Sequence, residues 1–460
     1  MLIVEKIGGT SMSRFEEVLK NIVIGQRAKG DYYNRILVVS AYNNVTNWLL
    51  EHKKTGTPGI YAKFEKQENY IAALDELLHK LIAINAELAP IGLNLKRADD
   101  FITERISQAK SYLKSLAAVL ATGYVNKTNI LLAAREILSS IGEAHSAFNS
   151  VDILEKNGVK SLFVDLCGFN DPEFLTIDER IKLAFKDIDF SKVLPVATGY
   201  TKGTEGIMRE FDRGYSEVTF SKIAVAVGAD EAVIHKEFHL SSADPNIVGM
   251  DKSVPVGHTN YNVADQLADV GMEAIHPKAS KPLEVAGINI RLKNTFEPEH
   301  PGTLISKDFI SKDGRVQIIT GTDKVVAIEV HDPLMVGEVG FDFGIMEILV
   351  KHKVSYILKA TNANSITHVI WEKDMKDELI AELKNKYTQI TVLPCSLICG
   401  LGTSISKPGV IAKATAALAE RNINIAAMSQ SLSQINIQFV INRENYQEAI
   451  IALNDALCFS

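Results

Sequence analysis

Val4-Glu5-Lys6-Ile7-Gly8-Gly9-Thr10-Ser11 is the stretch from which the rest of the chain is read. The apolar run Leu2-Ile3-Val4 gives way at once to two glycines and two hydroxyl residues. That is the pattern of a buried strand ending in a tight turn, and it predicts a helix beginning near Ser13-Arg14-Phe15-Glu16. Glycines let a backbone approach a ligand and present its amides, a helix start adds partial positive charge, and Lys6 adds a full one. Such a turn suits an anion, phosphate above all. Gly-Gly also serves turn geometry alone, so these residues by themselves leave both readings standing.

Outward from that turn, Arg35-Ile36-Leu37-Val38-Val39-Ser40-Ala41 is a second buried strand, followed by the polar turn Tyr42-Asn43-Asn44-Val45-Thr46-Asn47. Short, wholly apolar strands alternating with helices predict a parallel sheet covered on both faces, with ligands at the carboxyl ends of its strands. Ser40, Thr46 and Asn47 are then candidates to face Lys6, or else caps of the next helix. Thr55-Gly56-Thr57-Pro58-Gly59 breaks the chain. Ile71, Leu74, Leu77, Leu78 and Leu81 then mark one helical face, and Phe101, Ile102, Ile106, Ala109, Leu113, Leu116 and Leu120 mark another. This helical insertion at about 60–120 is read as scaffolding.

A helix through Ile130, Ala134, Ile137, Leu138 and Ile141 carries Glu143 between Ser140, Gly142 and Ser146, small neighbours that permit close ligand approach. Glu143 there receives a substrate ammonium or orients a cation, unless it is a solvated helix glutamate; His145 reads as a surface histidine. Strands follow at 161–164 and 193–197, the second ending in Thr198-Gly199-Tyr200-Thr201-Lys202-Gly203. In Phe211-Asp212-Arg213-Gly214-Tyr215-Ser216-Glu217, Arg213 is suited to grip a carboxylate or phosphate in a fork, while Ser216 and Glu217 also suit a helix cap and first turn. The Pro/Gly-rich run from Phe296 to Thr303 reads as a domain boundary. Beyond it, strands at 316–319 and 325–330 open two successive βαββα-type units rather than a solenoid.

The bulk numbers narrow the classes. The chain has 460 residues, 46% of them apolar and 23% charged, and a net charge of −7, which gives no electrostatic case for nucleic acid or an anionic membrane. Phosphate must be gathered by a few placed cations. Cys167, Cys395, Cys399 and Cys458 are too few and too scattered for a disulfide framework or a zinc knuckle, so buried thiols, no metal site and a reducing compartment are expected. The first residues already form a strand pattern, which leaves no room for a signal peptide, and no run is long and apolar enough to span a bilayer. A cytoplasmic protein is expected.

Taken together, these motifs resemble the aspartate kinases over essentially the whole chain. Lys6-Ile7-Gly8-Gly9-Thr10-Ser11 is similar to the family's K-F-G-G-T-S, with Ile for Phe. Val39-Ser40-Ala41 with Val45-Thr46-Asn47 resembles its second loop, Gly142-Glu143 its G-E, and Arg213-Gly214-Tyr215-Ser216 its R-G-G-S. The resemblance implies an α/β fold: an amino-acid kinase-type parallel-sheet sandwich at 1–304, then two α+β (βαββαβ, ACT-like) regulatory modules at 305–460. The first module falls at about 323–388 and the second at about 389–460, completed by 314–322. It implies ATP and Mg²⁺, L-aspartate as substrate and 4-phospho-L-aspartate as product, the first step toward lysine, threonine and methionine. It gives catalysis to Lys6 and Arg213, substrate binding to Thr46, Glu143, Arg213, Ser216 and Glu217, and nucleotide binding to Lys6, Gly8, Gly9, Ser11, Thr198, Gly199 and Asp244. Lysine or threonine is the implied effector, at Met335, Val336, Gly337 and Glu338, and the modules are expected to pair in a homodimer or higher homo-oligomer.

The departures are as informative. Tyr215 stands for the second glycine of R-G-G-S and Glu217 for an aspartate. Only Asp244-Pro245 survives of a longer nucleotide motif, and Glu273 replaces a lysine expected near ATP phosphates, for which Lys236 is a candidate substitute. These changes resemble a branch associated with the osmolyte ectoine. Two other readings remain: a kinase for another acid such as glutamate, and a regulatory amino-acid-binding protein whose kinase site has decayed.

Overall fold

Runs such as Ile36-Leu37-Val38-Val39, apolar on both faces, are satisfied only inside a covered sheet, and the computed structural model places them there. It describes residues 1–25, 27, 31–52, 55–211, 214–272 and 274–458. They form two units, Met1–His239 with Lys278–Gly302, and Leu240–Pro277 with Thr303–Ser460. In chain order the strands begin with β1 (Ile3–Ile7), β2 (Arg35–Val39), β3 (Ser161–Val164), β4 (Leu194–Thr198), β5 (Glu231–Lys236), β6 (His258–Asn260), β7 (Asn289–Asn294) and β8 (Thr303–Ser306).

In the first unit the sheet order is β3-β4-β2-β1-β5-β7, and every pairing is parallel. Val4 stands opposite Ile36 on one side and Ala232 on the other. The chain leaves β1 on one side to form β2 and reaches the opposite side with β5. That topology puts a crevice at the carboxyl ends beside β1, where Lys6 and the two glycines lie. A helical turn begins in the expected stretch, at Phe15–Val18, and a short α1 (Gly9–Met12) precedes it within the turn itself.

Beneath the crevice, Glu5 is 3% exposed and lies between Arg35 and His235, whose Nε2 is 2.7 Å from Oε2. Burial alone would raise the Glu5 pKa, but the Arg35 guanidinium and His235 outweigh it and hold the carboxyl well below the usual range. Arg35 also donates to the carbonyls of Ile22 and Val23, at 2.9 and 3.2 Å. Removing one partner of a buried pair strands the other charge. Arg35→Ala is therefore expected to cost about 3–5 kcal/mol, read as a lower denaturant midpoint; a loss under about 1 kcal/mol would show Glu5 compensated by other groups.

The insertion is helical, as its periodicity predicts. After the short α2 (Val45–Leu49) come α3 (Tyr70–Leu88) and α4 (Leu95–Thr122), which pack in sequence before the 30-residue α5 (Lys127–Lys156). Asn69, Asn94 and Asn126 cap the three long helices by accepting backbone N–H groups. His145 is not on the surface as expected. It is fully buried, its Nε2 is 2.6 Å from Asn85 Oδ1 of α3, and its ring meets the Tyr42 ring at 5.4 Å. Burial pushes its pKa down to about 3, so it stays neutral. The covering helix comes from far away in sequence, which local periodicity at 145 does not show.

The second unit pairs β6 with β8 in parallel and builds an antiparallel six-stranded sheet. Its strands are β9 (Ile318–His331), β10 (Tyr356–Thr361), β11 (Ser365–Trp371), β12 (Gln389–Leu401), β13 (Ile425–Gln430) and β14 (Asn436–Asn442), in the order β10-β11-β9-β12-β14-β13. Two strands were expected across 316–330; there is one, of 14 residues. Its start faces the end of β12, Ile318 opposite Leu401, and its end faces the start of β12, Val330 opposite Ile390. It therefore serves both modules. One core packs Val326, Ile328 and Val330 against α7 (Phe341–Lys351) and α8 (Asp377–Lys386). The other packs Ile319, Ile398 and Phe439 against α9 (Val410–Glu420) and α10 (Tyr446–Leu457), and takes in Ala243 and Val248. The repeat extends to the backbone: Lys353 and Asn422, each just past the first helix of its module, have φ of 58° and 55°. Cys167, Cys395 and Cys399 are free and buried, and Cys458 is free and partly buried. No helix among the described residues is long and apolar enough to cross a membrane.

Candidate active site

Polypeptide geometry brings distant motifs to one edge of the first unit. Gly8 N donates to His235 O at 3.4 Å and Ser40 N to Ile7 O at 3.1 Å, so the ends of β1, β2 and β5 are tied together. A Cβ on Gly9 would lie 2.8 Å from Ala41 O, and one on Gly199 2.8 Å from Val39 O and from Ser216 Cβ. These are close approaches to backbone oxygens and, at Gly199, to a side chain as well, which only glycine allows. Gly9→Ala is expected to push the turn off β2 and lower kcat at least tenfold with the fold retained, as read by circular dichroism beside a rate assay. An unchanged rate would show that the turn does not position reacting groups.

The helix α6 (Tyr215–Val227) starts after Gly214, whose φ is 92°, and delivers three consecutive side chains to this edge. Ser216 Oγ donates to Glu143 Oε1 at 3.3 Å, and Glu217 Oε1 lies 3.3 Å from Lys6 Nζ. Lys6 and Glu217 are mostly covered, with side chains 11% and 13% exposed. Tyr215 is 4% exposed. Glu143 is 2% exposed, not solvated, and its Oε2 is buried with no hydrogen-bond partner among the described residues. Burial pushes its pKa up to about 7, against opposing help from Tyr215, Ser216 and the Ala41 amide. Close packing of Gly142 on Ala41 and Val45 sets this stretch of α5 against the loop that leads to Thr46.

Lys6, Glu143, Ser216, Glu217 and the glycines at 8, 9 and 199 are thus linked by contacts at one crevice, and Thr46 follows Val45, on which Gly142 packs. A cation and an unpaired carboxylate oxygen stand on either side of α6's first turn. That combination can hold an anion at one end and an ammonium at the other. Two predicted residues are committed elsewhere: Ser11 is fully buried with its hydroxyl 3.0 Å from Thr295 Oγ1, and Thr198 Oγ1 donates to Tyr200 O at 2.8 Å. Asp244 belongs to the second unit, where it caps the short helix Pro245–Val248. Arg213 and Glu273 lie outside the described residues. Lys236 ends β5, the strand beside β1. Met335, Val336, Gly337 and Glu338 follow Asp332, whose carboxylate accepts from Leu334 N at 2.9 Å and from Thr388 Oγ1 at 2.8 Å.

Sequence reading passed over a second pair on α5. Glu136, two turns before Glu143, accepts from the Tyr200 hydroxyl at 2.6 Å and from Met208 N at 2.8 Å. The Tyr200 ring meets the Tyr215 ring edge-on at 6.0 Å. The seven-residue spacing of two glutamates is the one local signal for it.

Comparison with known proteins gives a consistent picture. The model of the amino acid kinase family matches residues 1–294, and that of an ACT domain matches 401–457. The chain is 48% identical, over 99% of its length and 97% of the relative, to the aspartate kinase Ask_Ect of Stutzerimonas stutzeri. Its structure is similar to Clostridium acetobutylicum aspartate kinase at a TM-score of 0.74 and 22% identity, covering 99% of this chain and 100% of that one. It is also similar to E. coli aspartokinase III in complex with aspartate and ADP, at 0.72 and 19%, with 99% of each chain covered. The same enzyme in complex with lysine and aspartate gives 0.69 and 20%, again over 99% of each.

Proposed function

We propose, for a chain that belongs to the aspartate kinases of the amino acid kinase family, that it transfers the γ-phosphoryl group of Mg-ATP to the β-carboxylate of L-aspartate, giving 4-phospho-L-aspartate and ADP. The observation that carries this is that two consecutive residues of α6 touch both ends of the site: Glu217 contacts Lys6, and Ser216 contacts Glu143, whose other carboxylate oxygen is buried and open. The substrate carboxylate is ionised at neutral pH and attacks phosphorus directly, so no general base is needed. A new oxygen–phosphorus bond forms as the bond to the β-phosphate oxygen breaks, and ADP takes the electron pair. What the protein supplies is position and charge.

Lys6 neutralises charge on the transferring phosphoryl group, with Glu217 holding its ammonium in place between turnovers. Gly8 and Gly9 keep the turn close, and Gly199 gives α6 room to approach. Glu143, Ser216 and Thr46 receive the amino end of aspartate, and Arg213 is assigned its α-carboxylate. Mg²⁺ would arrive on the nucleotide, consistent with its habit of keeping phosphate and water ligands. Lys236 remains the candidate cation for the nucleotide phosphates.

Kinase chemistry is assigned to 1–304 and sensing to the modules at 305–460, with 314–322 completing the second. Lysine or threonine is the proposed effector at residues 335–338, since E. coli aspartokinase III has been seen with lysine. Leu334, Val336, Val339 and Phe343 are more than half exposed around that loop, an apolar surface suited to pairing of two copies. Placement in the ectoine branch is supported by 48% identity to Ask_Ect against 26% to an Arabidopsis aspartokinase. A cytoplasmic setting accords with free buried thiols. The test is trapping of acyl phosphate with hydroxylamine from Mg-ATP and L-aspartate, with L-glutamate, lysine and threonine in parallel. Aspartate-dependent hydroxamate is expected. A folded enzyme that makes none, or that prefers glutamate, would overturn the assignment.

A further inference from the structure

Glu136 lies two turns before Glu143 on α5, and its two carboxylate oxygens hold two different segments. Oε2 accepts from the Tyr200 hydroxyl at 2.6 Å, and Oε1 accepts from Met208 N at 2.8 Å. Both segments bear on α6. Tyr200, 3% exposed, meets edge-on at 6.0 Å the ring of Tyr215, the residue with which α6 opens. Met208, equally buried, belongs to the short helix Ile207–Phe211 that comes just before α6 in the chain. The fit around the carboxylate is close: Gly206 has φ of 77°, and a Cβ there would stand 3.0 Å from Glu136 Oε1. The adjacent Arg135 does the same for α2, donating to both oxygens of Glu51, two residues past that helix, at 2.9 and 2.8 Å.

Taking Lys6 and Glu143 as the two ends of the site, as above, we propose that Glu136 is a positioning residue for phosphoryl transfer, acting through the first turn of α6. That turn is where Ser216 meets Glu143 and Glu217 meets Lys6. Its placement therefore sets the span that aspartate must bridge. Tyr200 fixes the turn through the ring contact, and Met208 fixes the chain that enters it. A carboxylate suits the task because it accepts from a hydroxyl and a backbone amide at once, with no proton of its own to place. A misplacement of about 1 Å in such a span is enough to cost about a hundredfold in rate.

Glu136→Ala removes both bonds, and Tyr200→Phe removes the hydroxyl branch while keeping the ring against Tyr215. In Glu136→Ala, kcat per folded enzyme is expected to fall about ten- to a hundredfold and KM for aspartate to rise about three- to tenfold, with KM for Mg-ATP within about twofold. Tyr200→Phe should show a smaller loss of the same kind. The double variant should be no worse than Glu136→Ala alone, the mark of two residues acting in one chain. The cost of Ser216→Ala should likewise be smaller in the Glu136→Ala background than in wild type. Circular dichroism and the melting transition give the folded fraction of each variant. Should Glu136→Ala not fold, Tyr200→Phe carries the same comparison of the two KM values. A lower melting temperature with both KM values unchanged, or both raised alike, marks a structural role alone and would overturn the proposal, as would additive losses in the double variant. A wild type that does not phosphorylate aspartate would instead overturn the function assigned above, and this inference with it.

Discussion

Lys6→Ala is expected to lower kcat for aspartate phosphorylation by at least about a hundredfold, the order seen when one preorganised charge-stabilising donor is removed from a covered site. Lys6 is placed for it by its own strand. Its backbone is held between Val38 and Ile234, and its ammonium emerges where the strand breaks into Gly8-Gly9. Because those backbone pairings do not depend on the side chain, the variant should fold and still bind aspartate at the Glu143 end. Lys6→Ala with Glu217→Gln should recover none of the rate. A Lys6→Ala enzyme within tenfold of wild type would mean that another cation bears the phosphoryl charge.

Glu143→Gln is expected to raise KM for aspartate by about a hundredfold, since a buried carboxylate facing an ammonium becomes a neutral amide that presents N–H donors as well as an oxygen. The same substitution should stabilise the unliganded protein. Burial raises the Glu143 pKa from the ordinary carboxylate range to about 7, so between those pH values the folded state holds a proton that the unfolded state has lost. Stability then falls as pH rises through that window and levels off above it. The glutamine variant escapes the penalty, and its gain in melting temperature over wild type should be small at pH 4.5, grow to about pH 7 and stay constant beyond. An equal offset at every pH would contradict the buried, ligand-seeking role. Bound aspartate should reverse the sign by stabilising wild type far more than the variant.

What was legible in the sequence is what short-range pattern encodes. The parallel sheet follows from wholly apolar runs at β1, β2 and β4, the insertion helices from period-3.6 faces, and the paired modules from a repeated order of elements. The aspartate kinase resemblance implied one site for motifs scattered along the chain, and of them Lys6, Glu143, Ser216 and Glu217 lie at one crevice. Three features escaped for physical reasons. His145 reads as exposed because the helix that buries it lies 60 residues away. The single strand β9 reads as two because Gly321, Asp323 and Lys324 interrupt its apolar pattern where it passes from one module to the other. The Glu136–Tyr200–Tyr215 chain joins α5, the β4 loop and α6, and no single window of sequence contains it. Ser11 and Thr198 were read from motif position, whereas their hydroxyls are used inside the fold.

The measurement that bears most directly on the central claim identifies the atom that receives phosphate. Enzyme, Mg-ATP and L-aspartate are incubated, the acyl phosphate is followed by phosphorus NMR, and the product is reduced with borohydride. Transfer to the β-carboxylate gives homoserine after reduction, in an amount matching the ADP released, and none with Lys6→Ala. Reduction products of the α-acyl isomer, or ADP release with no acyl phosphate, would contradict a site that holds the amino end of aspartate at Glu143 and presents its far carboxylate to Lys6.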